Sequence, residues 1–290
     1  MSPPRAGSRF ARALAGAPDA PVAVGLTFAP PEVLLALGGS REPVEALPGA
    51  CEKLDLDFVF VPPGSEAAMP VVAERACEPI AEVAAPLGRV LHQLGWTDGL
   101  RATAEDPSSL RPALDEAEKS AAEAVRVAAA AGAGAVVLAE DLTGSSGPLV
   151  PPDFAFAEVF PRLQRLAEAA AAGGLPALLH TDGDARAFVS SAARAGFAGV
   201  HGGGGLEPEG VASLVAAVRR ARLSFVGGIP TVELASGPMR AVAAGSRVGL
   251  IARAGGVLLA DDGGMSSAAE ASSFVSALQA AREAAGRGDA

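Results

Sequence analysis

The chain of 290 residues has no tyrosine, one tryptophan and two cysteines, and only Lys53 and Lys119 among its 23 basic residues are lysine. Each shortage excludes something. Cys51 and Cys77 are too few for a disulfide scaffold, so in a reducing compartment they are expected to pack as small apolar side chains. A surplus of acid, 33 Asp and Glu against 23 Lys and Arg, with few aromatics to stack on bases, argues against nucleic acid and polyanionic partners. No apolar run reaches about 18 residues without charge, Gly or Pro, so no membrane span is expected. The first residues carry Arg5, Arg9 and Arg12 without the continuous apolar stretch of a secretory leader, which makes the cytoplasm the expected compartment.

Known catalytic signatures are missing as well. There is no Ser-His-Asp order, HExxH or paired CxxC, and no GxGxxG follows the first expected strand. The loop LTGSSGPLVPP offers Ser145 and Ser146 but lacks the lysine of a nucleotide-binding P-loop.

What is present is a rhythm. From about Gly132 onward, short apolar runs alternate with longer Ala/Leu/Arg/Glu segments of helical spacing. Apolar runs at 135–140, 176–180, 198–201, 223–228 and 256–261 read as strands covered on both faces. Segments 107–131, 152–172, 184–195, 207–220 and 266–287 read as helices. Asp153 and Asp184 are expected helix caps, and His92 is expected on a helix surface. Further strands are expected at 21–28, 57–62 and near 80–85. Eight strands alternating with helices imply an α/β fold, a single (β/α)8 TIM barrel, because right-handed crossovers between eight parallel strands close the sheet without edges. A doubly wound open sheet is the competing layout. The expected division is an N-terminal arm, 1–20, followed by the barrel, 21–290.

In such a barrel the reacting groups sit at the carboxyl ends of strands. The fourth run ends in Glu140-Asp141, the fifth in His180-Thr181-Asp182, the sixth in His201 before Gly202, Gly203 and two more glycines, the seventh in Gly227-Gly228, and the eighth in Asp261-Asp262. Two of the three histidines thus lie at strand ends. His180 and Asp182, two apart in extended chain, project to one side, where imidazole and carboxylate can bind a metal or share a proton.

The run GAGAVVLAEDLTGSSGPLVPPDFAFAEVFPRLQRLAEAAAAGGLPALLHTDGD resembles the central part of the uroporphyrinogen decarboxylase superfamily. The shared features are an acidic strand end before a Gly-Pro-Leu-[IV]-x-Pro loop, an F.P.L..L helix and a strand ending in His. FVGGIPTVELASG is similar to the family's seventh-strand region. The resemblance spans about 132–265 and implies a (β/α)8 barrel, with a dimer as the family's habit. It also implies one of two activities.

The methyltransferase branch exchanges methyl groups with corrinoid proteins through zinc held by a His-x-Cys and a later Cys. Here His180-Thr181-Asp182 and Asp261-Asp262-Gly263 stand at those places, so the resemblance implies His180, Asp182 and Asp262 as metal ligands of a harder, oxygen-rich site. Such a site suits an oxygen donor or acceptor, as in a demethylase acting on a small methylated compound. Glu140, Asp141 and Asp182 are the expected catalytic carboxylates, and His201, Gly202, Gly203, Gly228 and Asp261 the expected substrate contacts. The decarboxylase branch, acting on a tetrapyrrole in porphyrin biosynthesis without a cofactor, implies a basic cleft after the first strand, whereas no Arg follows that strand until Arg41. A barrel that binds a small ligand without chemistry is the third expectation.

Overall fold

A computed structural model describes residues 7–17 and 22–286. Eight parallel strands form one sheet in sequence order: β1 (Gly25–Leu26), β2 (Phe58–Val61), β3 (Glu78–Ala84), β4 (Ala135–Ala139), β5 (Ala177–His180), β6 (Gly199–Gly202), β7 (Ser224–Ile229) and β8 (Val257–Asp261). They coincide with the eight runs read from the sequence. Closure excludes the open sheet: Val24 bridges in parallel to Leu259, whose N–H donates to the Ala23 carbonyl at 2.8 Å.

The register fixes the stagger. Partners run from Ala84 through Ala139, His180, His201 and Val226 to Leu258. Continued at constant offset through Ala23 and Leu56, the path returns to the β3 chain at Ala76. The displacement, 84 minus 76, is eight residues, which is the shear of a (β/α)8 barrel.

Alternation along the strands divides the core in two. Phe58, Phe60, Ile80, Val137, Leu178 and Val226 pack in the lumen, while Val59, Val61, Ala81, Val83, Val136 and Leu179 pack outward beneath the helices. The lower end of the lumen is stoppered by a short helix, Arg9–Leu14. Phe10 is fully buried in the lumen cluster, its ring 5.5 Å from that of Phe58. Ser224 Oγ, at the start of β7, donates to the carbonyls of Ala13 and Leu14 at 3.2 and 3.0 Å. The expected N-terminal arm therefore supplies part of the barrel's own core. Its expected boundary near residue 20 lies outside the described residues, as do Arg5 and Arg287.

The first hundred residues hold helices absent from the expected set, among them Pro31–Gly38 and Pro43–Leu54, besides Pro86–Leu94, the helix expected to carry His92. Each opens on proline in its first turn, where the missing N–H costs no helical bond. Prolines that look like loop punctuation are helix starts here. The 152–172 segment is not one uniform helix: Phe160–Ala172 follows a π turn, Ala155–Val159. Asp184 does cap its turn, accepting from the Arg186 N–H at 3.1 Å. Asp153 does not, because Pro151 occupies the cap position and Asp153 falls in the first turn. His92 is exposed on Pro86–Leu94, as expected. Cys51 and Cys77 are buried free thiols, as expected, with sulfurs 2.8 Å apart.

Phe10→Ala should destabilise the protein by about 3–5 kcal/mol, the range for an emptied aromatic site in a core, read as a fall in the urea midpoint. A loss below about 1 kcal/mol would show that the plug is not part of the cooperative core.

Candidate active site

The upper end of the lumen is built on a pair of histidines. His180 ends β5 and His201 lies opposite it in β6, in register. Both are buried, and their Nδ1 atoms approach to 2.7 Å. His201 Nε2 lies 3.1 Å from the Asp261 carbonyl oxygen. Aromatic rings pack around the pair: Phe28 is 4.6 Å from His180 and 5.6 Å from His201, and Phe60 is 5.6 Å from His201, centroid to centroid. Burial pushes the His180 pKa well below its usual value, with the neighbouring His201 adding to the shift. Burial lowers His201 too, against the opposing pull of Asp261.

His180 Nε2 faces the mouth. It lies 3.9 Å from Asp141 Oδ1 and 3.7 Å from Asp182 Oδ1, beyond hydrogen-bonding distance of either. One atom from each of Asp141, His180 and Asp182 lies within 4.8 Å of the others. The His180 side chain is only 9% exposed, whereas those of Asp141 and Asp182 are 30% and 56% exposed, so the group opens to solvent on its carboxylate side. Burial raises the Asp141 pKa to about 6, helped by Asp182, and raises that of Asp182 as well. Among the described residues, no Lys or Arg pairs with either carboxylate. An unpartnered imidazole nitrogen and two carboxylates, with no basic side chain to balance them, make a donor set that fits a divalent cation.

Asp182 and His180 are brought together as the sequence reading expected, but Asp141, expected as a catalytic carboxylate, stands in the donor group where Asp262 was expected. Asp262 is instead engaged with the chain after β7, where its Oδ1 accepts from Thr231 N–H and Oγ1–H at 2.9 and 3.0 Å. It has no place in the Asp141–His180–Asp182 group. Burial raises its pKa to about 6.

Glu140 and Asp261 also depart from expectation, for one reason. Val137 faces the lumen, so alternation turns Glu140 outward. Fully buried, it accepts from the N–H groups of Leu87 and Gly88 at 3.1 and 2.7 Å, tying β4 to the first turn of Pro86–Leu94. Burial pushes its pKa to about 8 against those two donors. Asp261 follows lumen-facing Ala260 and likewise turns out. It accepts from Thr27 N–H at 3.0 Å, from the Thr27 hydroxyl and from Gly264 N–H at 2.7 Å, clasping β8 to the end of β1. Its carboxylate, expected among the substrate contacts, is buried and engaged in closing the barrel.

The glycines at the mouth let loops approach one another. A Cβ on Gly202 would lie 2.4 Å from the Thr181 carbonyl oxygen, and one on Gly183, at φ +61, would lie 2.1 Å from the Gly144 backbone. Gly203 donates its N–H to Gly183 O at 2.9 Å. Gly228 sits elsewhere, on a cavity of about 270 Å³ between the helices after β6 and β7, with Leu206, Val211, Pro230 and Arg247.

Three residues here escaped the sequence reading. Thr181, between His180 and Asp182, accepts at its Oγ1 from the N–H groups of Leu142 and Thr143 at 2.9 and 3.0 Å, fastening the loop that carries Asp141. Phe28 covers the histidines. Glu82, an acid in the middle of β3, shares the lumen face with Ile80. With a stagger of about one residue per strand, it lies level with His180 on the next lumen-facing strand. Burial pushes its pKa to about 7. An acid interrupting a doubly covered strand is the signal that could have found it.

No protein-family model and no curated protein matches this chain. Solved structures do. A methyltransferase from Methanosarcina mazei aligns over 95% of this chain and 97% of its own, with TM-score 0.74 and 19% identity. An archaeal fructose-1,6-bisphosphate aldolase covers 96% and 97% at TM-score 0.52 and 15% identity. Deoxyribose phosphate aldolase from Aeropyrum pernix covers 94% and 93% at TM-score 0.50 and 11% identity. At these identities the likeness establishes the shared barrel. No helix among the described residues is long and apolar enough to cross a membrane.

The raised pKa of Glu82 has a thermodynamic sign. A carboxyl held near 7 in the folded state against 4.5 ordinarily contributes stability below the lower value that is lost as pH rises through the higher. Glu82→Gln should therefore melt several degrees above the parent near pH 8.5 and converge with it near about pH 4.5. Parallel melting curves across that window would place the charge in solvent.

Proposed function

We propose that this protein is a metal-assisted methyltransferase of the uroporphyrinogen decarboxylase superfamily, moving a methyl group between the oxygen of a small substrate and a separate corrinoid protein. The observation that carries the reading is the Asp141–His180–Asp182 donor group, one nitrogen and two oxygens at the barrel mouth without a basic partner among the described residues. The overall likeness to a methyltransferase barrel supports it.

Asp141, His180 and Asp182 would hold zinc, and a bound zinc supplies Lewis acidity toward an oxygen that carries or receives the methyl. The protein's own groups do the rest. Thr181 fixes the Asp141 loop to the strand that bears His180, so the donors keep their spacing before anything binds. Phe28 packs over the histidines and keeps that side of the mouth apolar. When the methyl leaves oxygen, the bonding pair stays behind and the oxygen needs a proton. Glu82, level with His180 and half-protonated near neutrality, is the group suited to hold that proton on its carboxyl oxygen. Oxygen donors around the metal favour an alcohol, phenol or methyl ether over a thiol.

The decarboxylase reading meets repulsion. Asp141 and Asp182 line the mouth without basic partners among the described residues, and Arg9 lies at the opposite end of the barrel, 3.7 Å from Asp57. An octacarboxylate would find like charge there.

The purified protein should carry about one zinc per chain by emission spectroscopy, and His180→Ala should lose it. Offered methoxy compounds and free cob(I)alamin in place of the corrinoid protein, the parent should yield a methylated corrinoid. His180→Ala should fall by about 100-fold or more. A metal-free protein that decarboxylates a porphyrinogen would overturn the assignment, and absence of both metal and turnover would favour the non-catalytic barrel.

A further inference from the structure

We propose that His201 is a positioning residue that selects the tautomer of His180, leaving its Nε2 as a lone-pair donor toward the mouth. The inference rests on the metal-assisted reading for its purpose, but its geometry stands apart from it.

The argument follows the protons. The Asp261 carbonyl can only accept, so the 3.1 Å contact to His201 Nε2 places an N–H on that nitrogen. His201 is fully enclosed and His180 nearly so, with Phe28 and Phe60 against them and no carboxylate within hydrogen-bonding distance of either Nδ1, and a single shared proton between two facing Nδ1 atoms is what neutral rings provide. His201 Nδ1 is then an acceptor. The 2.7 Å contact between the two Nδ1 atoms requires one donor, which must be His180. His180 Nε2 therefore bears no proton and turns a lone pair toward Asp141 and Asp182, at 3.9 and 3.7 Å. The reverse arrangement would set two acceptors against each other at the Asp261 carbonyl.

The relay begins at a strand end that is itself immobilised. The Asp261 carboxylate is clasped by Thr27 and Gly264, so the carbonyl that orients His201 is held by barrel closure. A backbone oxygen on β8 thus sets the hydrogen position on β6, which sets the lone pair on β5. An orienting partner of this kind typically changes metal affinity by about 10- to 100-fold.

The test uses full-length protein labelled with 15N-histidine and read by long-range proton–nitrogen correlation, first without metal. The expected spectrum shows His180 protonated at Nδ1 and bare at Nε2, and His201 protonated at Nε2. His180 protonated at Nε2 in the metal-free parent would overturn the proposal, whether or not zinc binds. His201→Phe, which keeps a ring and removes the acceptor, should shift His180 toward the Nε2–H form and weaken zinc binding by about 10- to 100-fold in calorimetric titration. His201→Gln, whose amide can accept from His180 and donate to the Asp261 carbonyl, should restore much of both. A His201→Phe protein with the parent's His180 spectrum and zinc affinity would also overturn the proposal. A parent that shows the expected tautomers but takes no zinc would sustain the relay and remove the methyltransferase reading instead.

Discussion

In a closed barrel every strand residue must face either the lumen or the helices, and a single step along the chain reverses the choice. That constraint governs this protein from end to end. It places Phe58, Phe60, Ile80, Val137 and Leu178 in the lumen, and it turns Glu140 away while His180 points in. The eight-residue stagger then decides which inward residues share a level, bringing Glu82 of β3 and His180 of β5 to the same height.

The mouth is consequently a layered object. Beneath it lies an aromatic and aliphatic column, closed below by Phe10. Above the column, two buried imidazoles face one another, and their outer edge meets carboxylates that reach solvent. Burial disfavours the charged form of both rings and raises the pKa of Glu82, Asp141 and Asp182. Such a site is short of positive charge, and its chemistry follows from whatever cation or polarised oxygen relieves that shortage.

Much of this was legible in the linear chain. The apolar runs fell where the strands are, because strands covered on both faces must be continuously apolar. Polar residues at the ends of those runs marked the mouth. The order of Glu140 and Asp141 carried no such information: neighbouring acids look alike in a sequence, yet one binds the first turn of a helix and the other joins the donor group. Asp261 and Asp262 pose the same ambiguity, resolved by partners on distant segments, Thr27 and Thr231. The early helices were hidden because their opening prolines signal a loop and a helix start equally well.

The count of βα units and the end of the barrel where carboxylates and histidines gather could be read from the chain alone, since both depend on local periodicity and residue type. Only the tertiary structure decided that Asp141 rather than Asp262 stands beside His180, that Glu82 faces the lumen level with it, and that His201 meets His180 across a 2.7 Å contact. The physical reason is separation along the chain. The groups involved lie far apart in the chain, His201 and Asp261 by 60 positions and Thr27 and Asp261 by 234, and their geometry exists only once the barrel has closed.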